Sequence, residues 1–338
     1  MKEIIYCPGT LAAGFDRYSP LCLKRVFNGK AVSHILDFNY DADSTDMAEY
    51  INQISVSGVQ EKLSAIVDSG KIMLTPQGVQ GVYIIKPAPG YKLLQFRSMI
   101  PANEHLTMQI AKQVYKMKTA ENALAFFKNG DMAYLTKRFD IGADRMKIKQ
   151  EDFSSIARKT AITHGKDFKY TGNYEDLALL LRENVSAWKV EISKYFTLVL
   201  FNYMFANGDA HFKNFSLQQS VNGDYLLSPA YDLMNTSIHV KDNDFAMEAG
   251  LLPEGEYSDI YKQTGHPCGD DFINFANRIG VPHKKMIKIM GIFIKLQPMV
   301  EELTNHSFLD NKLKRMYLRS YQERLSRLKR MNNKTKIF

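Results

Sequence analysis

The sequence has few of the features that mark a secreted or membrane protein. Its three cysteines, Cys7, Cys22 and Cys268, are too few and too widely spaced for a disulfide framework, which favours a reducing compartment. The most apolar run, residues 195–206, is twelve residues long and contains an asparagine, so it is too short to span a bilayer. No secretory leader is recognisable at the start of the chain. We therefore expect a cytoplasmic protein without a membrane segment.

The overall composition is ordinary, but the charge is unevenly distributed. The 338 residues are 45% hydrophobic and 24% charged, which is typical of a soluble globular protein with room for two domains. The net charge of +8 is concentrated in residues 312–338, which contain ten Lys or Arg and one acid. The apolar positions of this tail have helical spacing: Leu313, Tyr317, Tyr321, Leu325 and Leu328. We expect a helix with this face in the core and its basic side chains in solvent, and nucleic-acid binding is a weaker alternative.

The two parts of the chain differ in their hydrophobic periodicity. Strand patterns occur at residues 54–58, 63–67, 71–74, 82–86 and 133–136. They suggest a small antiparallel sheet, and a helix with Asn103 as its N-cap follows the strand at 82–86. Helical patterns then occur at residues 151–158, 174–183, 190–207, 269–280 and, in pieces, 296–331. An extended hairpin, residues 215–227, interrupts them, so we expect a β-rich first lobe and a mostly helical second lobe.

Three polar side chains follow the long apolar helix in a pattern typical of phosphoryl transfer. Residues 207–214 read N-G-D-A-H-F-K-N, which places Asp209 and Asn214 five positions apart, and Asp232 follows the hairpin. Phosphoryl transfer needs a carboxylate that orients the attacking hydroxyl and oxygen ligands for magnesium. Asp209 is the candidate for the first role, Asn214 and Asp232 for the second, and Lys213 for steadying phosphate oxygens. Such a spacing alone occurs by chance in many chains, so supporting residues are needed.

Supporting residues occur in the first lobe in the order that a kinase requires. Lys86 ends a predicted strand, where a phosphate-binding lysine belongs, and Glu104 in the next helix is placed to pair with it. Residues 137–140 end the last strand of the lobe, where an adenine-binding segment belongs. The loop at residues 55–62 has a single glycine, Gly58, and matches neither a G-x-G-x-x-G loop nor a Walker A sequence. Its own pattern favours a strand end over a phosphate loop.

Several motifs, read in order, resemble those of a known family. Between residues 51 and 236 they are S-V-S-G-V-Q-E-K, Y-I-I-K-P, K-R-F-D, I-K-Q-E-D-F, N-G-D-A-H-F-K-N-F-S and S-P-A-Y-D-L-M. They resemble the HipA-type serine/threonine kinases, which are toxins of bacterial toxin–antitoxin systems. The resemblance implies an α+β, bilobal, protein-kinase-like fold with ATP and Mg²⁺ as cofactors. The implied domains are a short extension (1–50), an N-terminal lobe (51–145) and a helical C-terminal lobe (146–338).

The resemblance also implies roles for individual residues. Asp209 would be the catalytic aspartate, Asn214 and Asp232 the magnesium ligands, and Lys86, paired with Glu104, the phosphate lysine. The remaining residues implied at the ATP site are Ser57, Gly58, Val59, Gln60, Lys62, Lys137, Phe139, Asp140, His211 and Lys213. Within this set the backbone at Lys137 and Phe139 would meet adenine and Asp140 the ribose.

Three further residues have expected roles in the loops. His211 is either a base or, as is commoner in a kinase loop, a support for that loop through hydrogen bonds. The resemblance further implies that autophosphorylation of Ser55 or Ser57 ejects their loop from the ATP site and silences the enzyme. A phosphate there would add about −1.5 to −2 charges beside a site built for the phosphates of ATP.

The same resemblance implies binding partners, and two other functions remain as alternatives. Only some fifty residues precede residue 51, which resembles a short HipT-like form whose missing subdomain is a separate HipS-like protein. The implied partners are a protein substrate such as an aminoacyl-tRNA synthetase, a helix-turn-helix antitoxin and a HipS-like subunit, with DNA contacted only through the antitoxin. Two other functions stay open: a small-molecule phosphotransferase of similar fold, or a catalytically silent co-repressor. Cys7 and Cys22, with only His34 nearby, predict no zinc site.

Overall fold

A computed structural model describes most of the chain: residues 3–40, 61–90, 94–253 and 256–332. These residues belong to two compact units. The first unit comprises the described parts of Met1–Lys147, Ile238–Val240 and Pro298–Arg315. The second comprises those of Ile148–Ser237, Lys241–Gln297 and Met316–Phe338. Both units combine segments that are distant in sequence. The division of the chain into three domains stays a prediction.

The first unit is built on a five-stranded antiparallel sheet. Its strands are β1 (Leu63–Asp68), β2 (Lys71–Leu74), β3 (Tyr83–Pro87), β4 (Asn122–Phe126) and β5 (Met132–Lys137). Their order is β2-β1-β3-β5-β4. Ser69 and Gly70 connect β1 to β2 with positive φ at both positions, as a two-residue hairpin requires. The sequence pattern missed β4 because all five of its residues are buried, which leaves no alternation to detect.

Three helices lie wholly within the described part of the first unit: α1 (Pro20–Phe27), α2 (Ile100–Gln113) and α10 (Pro298–His306). Side chains of α1 join an apolar cluster with inward residues of the sheet, and α2 packs against β4 and β5. The prediction that Asn103 caps a helix is wrong, because α2 begins at Ile100. Pro101 favours that start, since its missing N–H is not needed in a first turn. The Asn103 side chain is buried instead, with Nδ2 2.9 Å from Nε2 of His239.

The second unit is mostly helical in its described residues. Its helices are α3 (Phe153–Ile156), α4 (Ala161–His164), α5 (Tyr174–Asn184), α6 (Trp188–Met204), α7 (Asp259–Thr264), α8 (Gly269–Arg278), α9 (His283–Phe293) and most of α11 (Asn311–Leu328). A small antiparallel sheet adds β6 (Gln150–Asp152), β7 (Ser216–Gln219) and β8 (Tyr225–Leu227), in that order. None of the helices that the structure describes is both long and apolar enough to cross a membrane.

One predicted helix of this unit is wrong at its start. Residues 150–152 form a strand, because Glu151 pairs with Leu217 of β7 in a ladder that local periodicity cannot reveal. Asp152 then caps α3, with its Oδ1 accepting the N–H of Ser155 at 2.9 Å. Only residues 153–156 of the predicted helix at 151–158 are helical.

The apolar face predicted for the tail helix is confirmed, since all five of its apolar residues are buried. In the second unit Tyr321 of α11 stacks on Phe205, with ring centroids 5.3 Å apart and planes at 6°. The prediction that every basic side chain of the helix is solvated is wrong. Arg324 and Arg327 are largely buried, with side chains 9% and 14% exposed, because the carboxylate of Asp244 binds both.

Candidate active site

The loop that follows α6 carries the candidate catalytic residues. Ala206 has a φ of 48°, a left-handed conformation that turns the chain away from the helix. The buried Asn207 donates from Nδ2 to Oδ1 of Asn202 at 2.8 Å and to the carbonyl of Asp232 at 3.3 Å. Its own Oδ1 accepts the N–H of Asp209 at 3.3 Å. Asn207 therefore ties the end of a rigid helix to both aspartates.

Asp209 presents a carboxylate with one engaged oxygen. Its Oδ1 accepts the hydroxyl of Tyr170 at 2.7 Å and lies 3.7 Å from Nε2 of His211, whereas no described residue hydrogen-bonds to Oδ2. Desolvation by the surrounding loop and the charge of Asp232 raise the pKa of Asp209, while Tyr170 and Lys169 oppose this shift. The side chain is 53% exposed. This exposure leaves Oδ2 accessible to a hydroxyl.

His211 is a buried residue of the same loop. Burial and the nearby charges of Lys169 and Lys213 lower the pKa of His211 to about 3. Its Nδ1 is buried without a hydrogen-bond partner in the described part of the chain. Its backbone N–H lies 2.9 Å from the carbonyl of Asp209 and 3.2 Å from Oδ1 of Asn214. An imidazole with so low a pKa is a weak base, so this geometry favours the supporting role.

The two candidate magnesium ligands are neighbours. Asn214 donates from Nδ2 to Oδ2 of Asp232 at 3.4 Å, although eighteen positions separate them in sequence. Asp232 has a φ of 54°, a left-handed conformation that Asp tolerates better than most residues. The backbone of this turn is held by the bond from Asn207 to the Asp232 carbonyl.

This pair of side chains fits magnesium by its chemistry. Mg²⁺ prefers oxygen ligands and is usually held by one or two carboxylates together with waters and substrate phosphates. Asp232 provides carboxylate oxygens, and the amide of Asn214 provides a carbonyl oxygen. The described residues contain no group of three or more His, Cys, Asp or Glu side chains that would hold a metal unaided. A magnesium ion at Asn214 and Asp232 would therefore need waters or phosphate oxygens as further ligands.

Asp242 contacts the Asp209 loop through Thr236, and the sequence did not predict this contact. The hydroxyl of Thr236 accepts the N–H of Gly208 at 2.8 Å and is hydrogen-bonded to the Asp242 carboxylate. A Cβ on Gly208 would lie 2.3 Å from that carboxylate, so a side chain at this position would require the Asp242 side chain to move. Desolvation raises the pKa of Asp242, as does the charge of Asp209, while the bond from Thr236 lowers it. Asp242 is one of two aspartates in an acidic loop, K-D-N-D, which carries no motif.

In the first unit, Lys86 and Glu104 form a buried ion pair. Lys86 at the end of β3 places Nζ 2.7 Å from Oε1 of Glu104 on α2, and the two side chains are 5% and 4% exposed. The lysine Nζ also lies 5.3 Å from the ring centre of Tyr134, its cross-strand neighbour on β5. A sheet and a helix thus fix the position of one cationic group.

The predicted adenine and ribose contacts already have protein partners. The Lys137 N–H donates to the carbonyl of Glu121 at 2.7 Å. Arg138 binds the Asp140 carboxylate through two hydrogen bonds of 3.0 and 2.6 Å. The Lys137 N–H and the Asp140 carboxylate are thus both engaged within the first unit.

The remaining predicted residues are described only in part. Ser55, Ser57, Gly58, Val59 and Gln60 lie outside the described residues. Lys62 is half-buried just before β1. In the second unit, Lys213 places Nζ 5.6 Å from the ring centre of Phe168.

Tyr170 is a second residue at the candidate site that sequence reasoning missed, after Asp242. It lies in the segment K-D-F-K-Y-T-G, thirty-nine positions before Asp209, and no spacing rule connects the two. The aromatic residues interleaved with lysines in this segment were its only visible signal.

The chain was compared with protein families and with known proteins. The family model described as "HipA-like C-terminal domain" matches residues 54–299. The chain belongs to this family. A Haemophilus influenzae protein named "Putative kinase" is 27% identical to this HipA-like chain over 292 residues, which cover 82% of the chain and 83% of that protein. "Putative kinase Y4dM" of Sinorhizobium fredii is 28% identical over 209 residues, which cover 57% of the chain and 48% of that protein.

A solved structure supports the fold. HipA of Shewanella oneidensis MR-1, in a toxin–antitoxin complex with HipB and its operator DNA, matches with a TM-score of 0.58 at 20% identity. The match covers 85% of this chain, and the chain spans 65% of that HipA. The predicted α+β, kinase-like fold and the resemblance to the HipA family are confirmed.

Proposed function

We propose that this HipA-like chain is an ATP- and Mg²⁺-dependent serine/threonine protein kinase. The observation that carries the proposal is the arrangement of three side chains in the second unit. Asp209 exposes a carboxylate oxygen, and five positions later Asn214 contacts Asp232 at 3.4 Å. Relatives named as kinases support the same activity.

Each residue has a defined task in this reaction. Asp209 would orient the acceptor hydroxyl and take its proton on Oδ2 while a bond forms between the acceptor oxygen and the γ-phosphorus of ATP and the bond from that phosphorus to the leaving ADP breaks. Asn214 and Asp232 would hold Mg²⁺, which when bound offsets the charge of the phosphates. Lys213 and Lys86 would contact phosphate oxygens.

The biological role follows from the family resemblance. We propose that the kinase is the toxin of a toxin–antitoxin system and that it phosphorylates a translation component such as an aminoacyl-tRNA synthetase. A helix-turn-helix antitoxin or a small HipS-like subunit would restrain it, with DNA contacted only through the antitoxin. The complex of Shewanella HipA with HipB and DNA supports an antitoxin partner.

The activity is tested by intact mass after incubation with MgATP. We expect the parent protein to gain phosphate that maps to Ser55 or Ser57, and Asp209→Asn to gain none. Asp16→Asn makes the same chemical change at an exposed ion pair and serves as the control. In Ser55→Ala/Ser57→Ala the phosphate should disappear while ATP-dependent activity persists, because silencing is lost. A parent protein that binds MgATP but transfers phosphate to no serine or threonine would refute the proposal.

A further inference from the structure

Tyr170 contacts the proposed catalytic carboxylate from a distant part of the sequence. Its hydroxyl donates to Oδ1 of Asp209 at 2.7 Å, and its ring packs edge-on against His211 with centroids 5.1 Å apart and planes at 69°. Burial, reinforced by the Asp209 charge, raises the pKa of Tyr170 above its ordinary value. The phenol therefore keeps its proton and acts as a hydrogen-bond donor at physiological pH.

The backbone around Tyr170 is held by three hydrogen bonds. The Tyr170 N–H donates to the carbonyl of Asp167 at 2.8 Å, and its carbonyl accepts the N–H of Glu248 at 3.0 Å. The neighbouring carbonyl of Lys169 accepts the N–H of Phe212 at 3.1 Å. Because Phe212 belongs to the same loop as Asp209, side-chain and backbone bonds together join the two segments. These bonds fix the backbone that carries the Tyr170 side chain.

We propose that Tyr170 is a positioning residue for Asp209: its hydroxyl holds Oδ1 so that Oδ2 is directed to the acceptor hydroxyl. This role rests on the proposed kinase function. A carboxylate held at one oxygen spends more time in the productive orientation, which matters because catalytic groups must be held within about 0.5 Å of their working positions. The donated hydrogen bond also favours the ionised form of Asp209, the form that can accept a proton.

Several groups besides Tyr170 influence the pKa of Asp209. Among the described residues, the other charged or titratable groups around it include Lys169, Tyr174, His211, Asp232 and Asp242, and Lys213 lies beside His211. A change confined to the Tyr170 hydroxyl leaves all of these in place. Tyr170→Phe is therefore the informative variant.

Tyr174→Phe is the matched control. The Tyr174 hydroxyl donates to the backbone carbonyl of Ala210 at 2.8 Å, so its removal deletes a hydrogen bond to the same loop but not to the carboxylate. Both variants and the parent are assayed with MgATP for the initial rate of phosphate transfer across a range of pH. A merely structural loss would affect the two variants alike.

Tyr170→Phe should lower the rate about tenfold, as expected for loss of one hydrogen bond to a charged group, without changing KM for ATP. Activity requires ionised Asp209, so it is lost as pH falls through the pKa of that carboxyl. Removing the donor raises this pKa, and the acid limb should move to higher pH. Tyr174→Phe should leave the acid limb where it is in the parent.

A second readout does not depend on activity. The pKa of Asp209 is measured by ¹³C NMR titration of aspartate-labelled protein, with Asp209→Asn identifying the signal, and it should be higher in Tyr170→Phe than in the parent. Equal pKa values overturn the proposal, as does phosphate mapped to Tyr170, which would make it an acceptor. If the parent transfers no phosphate at all, the kinase function fails and the catalytic role of Tyr170 with it. The NMR comparison then still decides whether the hydrogen bond holds Asp209.

Discussion

Asp244 is the centre of a cluster of charges in the second unit that one substitution can test. Its Oδ1 binds Arg324 and lies 3.0 Å from Nη1 of Arg327, while its Oδ2 lies 2.7 Å from Nδ1 of His266. The Asp244 side chain is 16% exposed, and the two arginines are 9% and 14% exposed. Water therefore screens these interactions only weakly.

Asp244→Asn keeps the size of the side chain but removes its charge. Removing one partner of a buried ion pair costs about 3–5 kcal/mol, because the remaining charge stays desolvated. Arg327 keeps its bond to Glu323, so we expect the lower end, about 3 kcal/mol. At about 2–4 °C per kcal/mol for a domain of 150–250 residues, the Tm should fall by about 6–12 °C.

The assay is thermal unfolding followed by calorimetry at low and high salt. Asp16→Asn is the matched control, because its pair with Arg17 has side chains 68% and 75% exposed and should have no measurable effect on Tm. The effect of Asp244→Asn should persist at high salt. If the two variants unfolded at the same temperature, the inference that burial makes the Asp244 cluster strong would be refuted.

Three further predictions test the catalytic loop and the buried lysine. Gly208→Ala would place its Cβ 2.3 Å from the Asp242 carboxylate and should lower the free energy of unfolding by about 1–3 kcal/mol. Adding Asp242→Ala should restore part of this stability. If the effects of the two substitutions simply added in the double variant, a steric clash between the two side chains would be ruled out. His211 has a pKa of about 3 against an ordinary 6.5, so the unfolded chain binds the extra proton between these values and stability is lost as pH falls through that window. His211→Asn should make the loss less steep in thermal unfolding against pH, and an unchanged slope would argue against a buried neutral imidazole. Glu104→Gln removes the carboxylate that lies 2.7 Å from Nζ of Lys86 and should weaken MgATP binding measured by calorimetry. An unchanged affinity for MgATP would show that the Lys86–Glu104 ion pair does not contribute to nucleotide binding.

Elements with a regular local pattern were predictable from the sequence. The strands β1, β2, β3 and β5 were predicted within one or two residues, and so was the apolar face of the tail helix. The pattern failed where neighbours distant in sequence decide the conformation. Residues 150–152 form a strand because β7 pairs with them, and β4 is buried along its whole length. The start of α2 at Ile100 is a different case, because Pro101 is a local signal for it that the prediction of a cap at Asn103 overlooked.

The sequence by itself determined the family and the order of the candidate catalytic groups. Asp209 and Asn214 lie on one short loop, so their spacing is a local property that can be read without a fold. Only the tertiary structure decided which distant groups surround that loop. Tyr170 reaches Asp209 across thirty-nine positions, and Arg324 reaches Asp244 across eighty. Such contacts depend on how helices and loops pack together, and hydrophobic periodicity reports only which face of each element is buried.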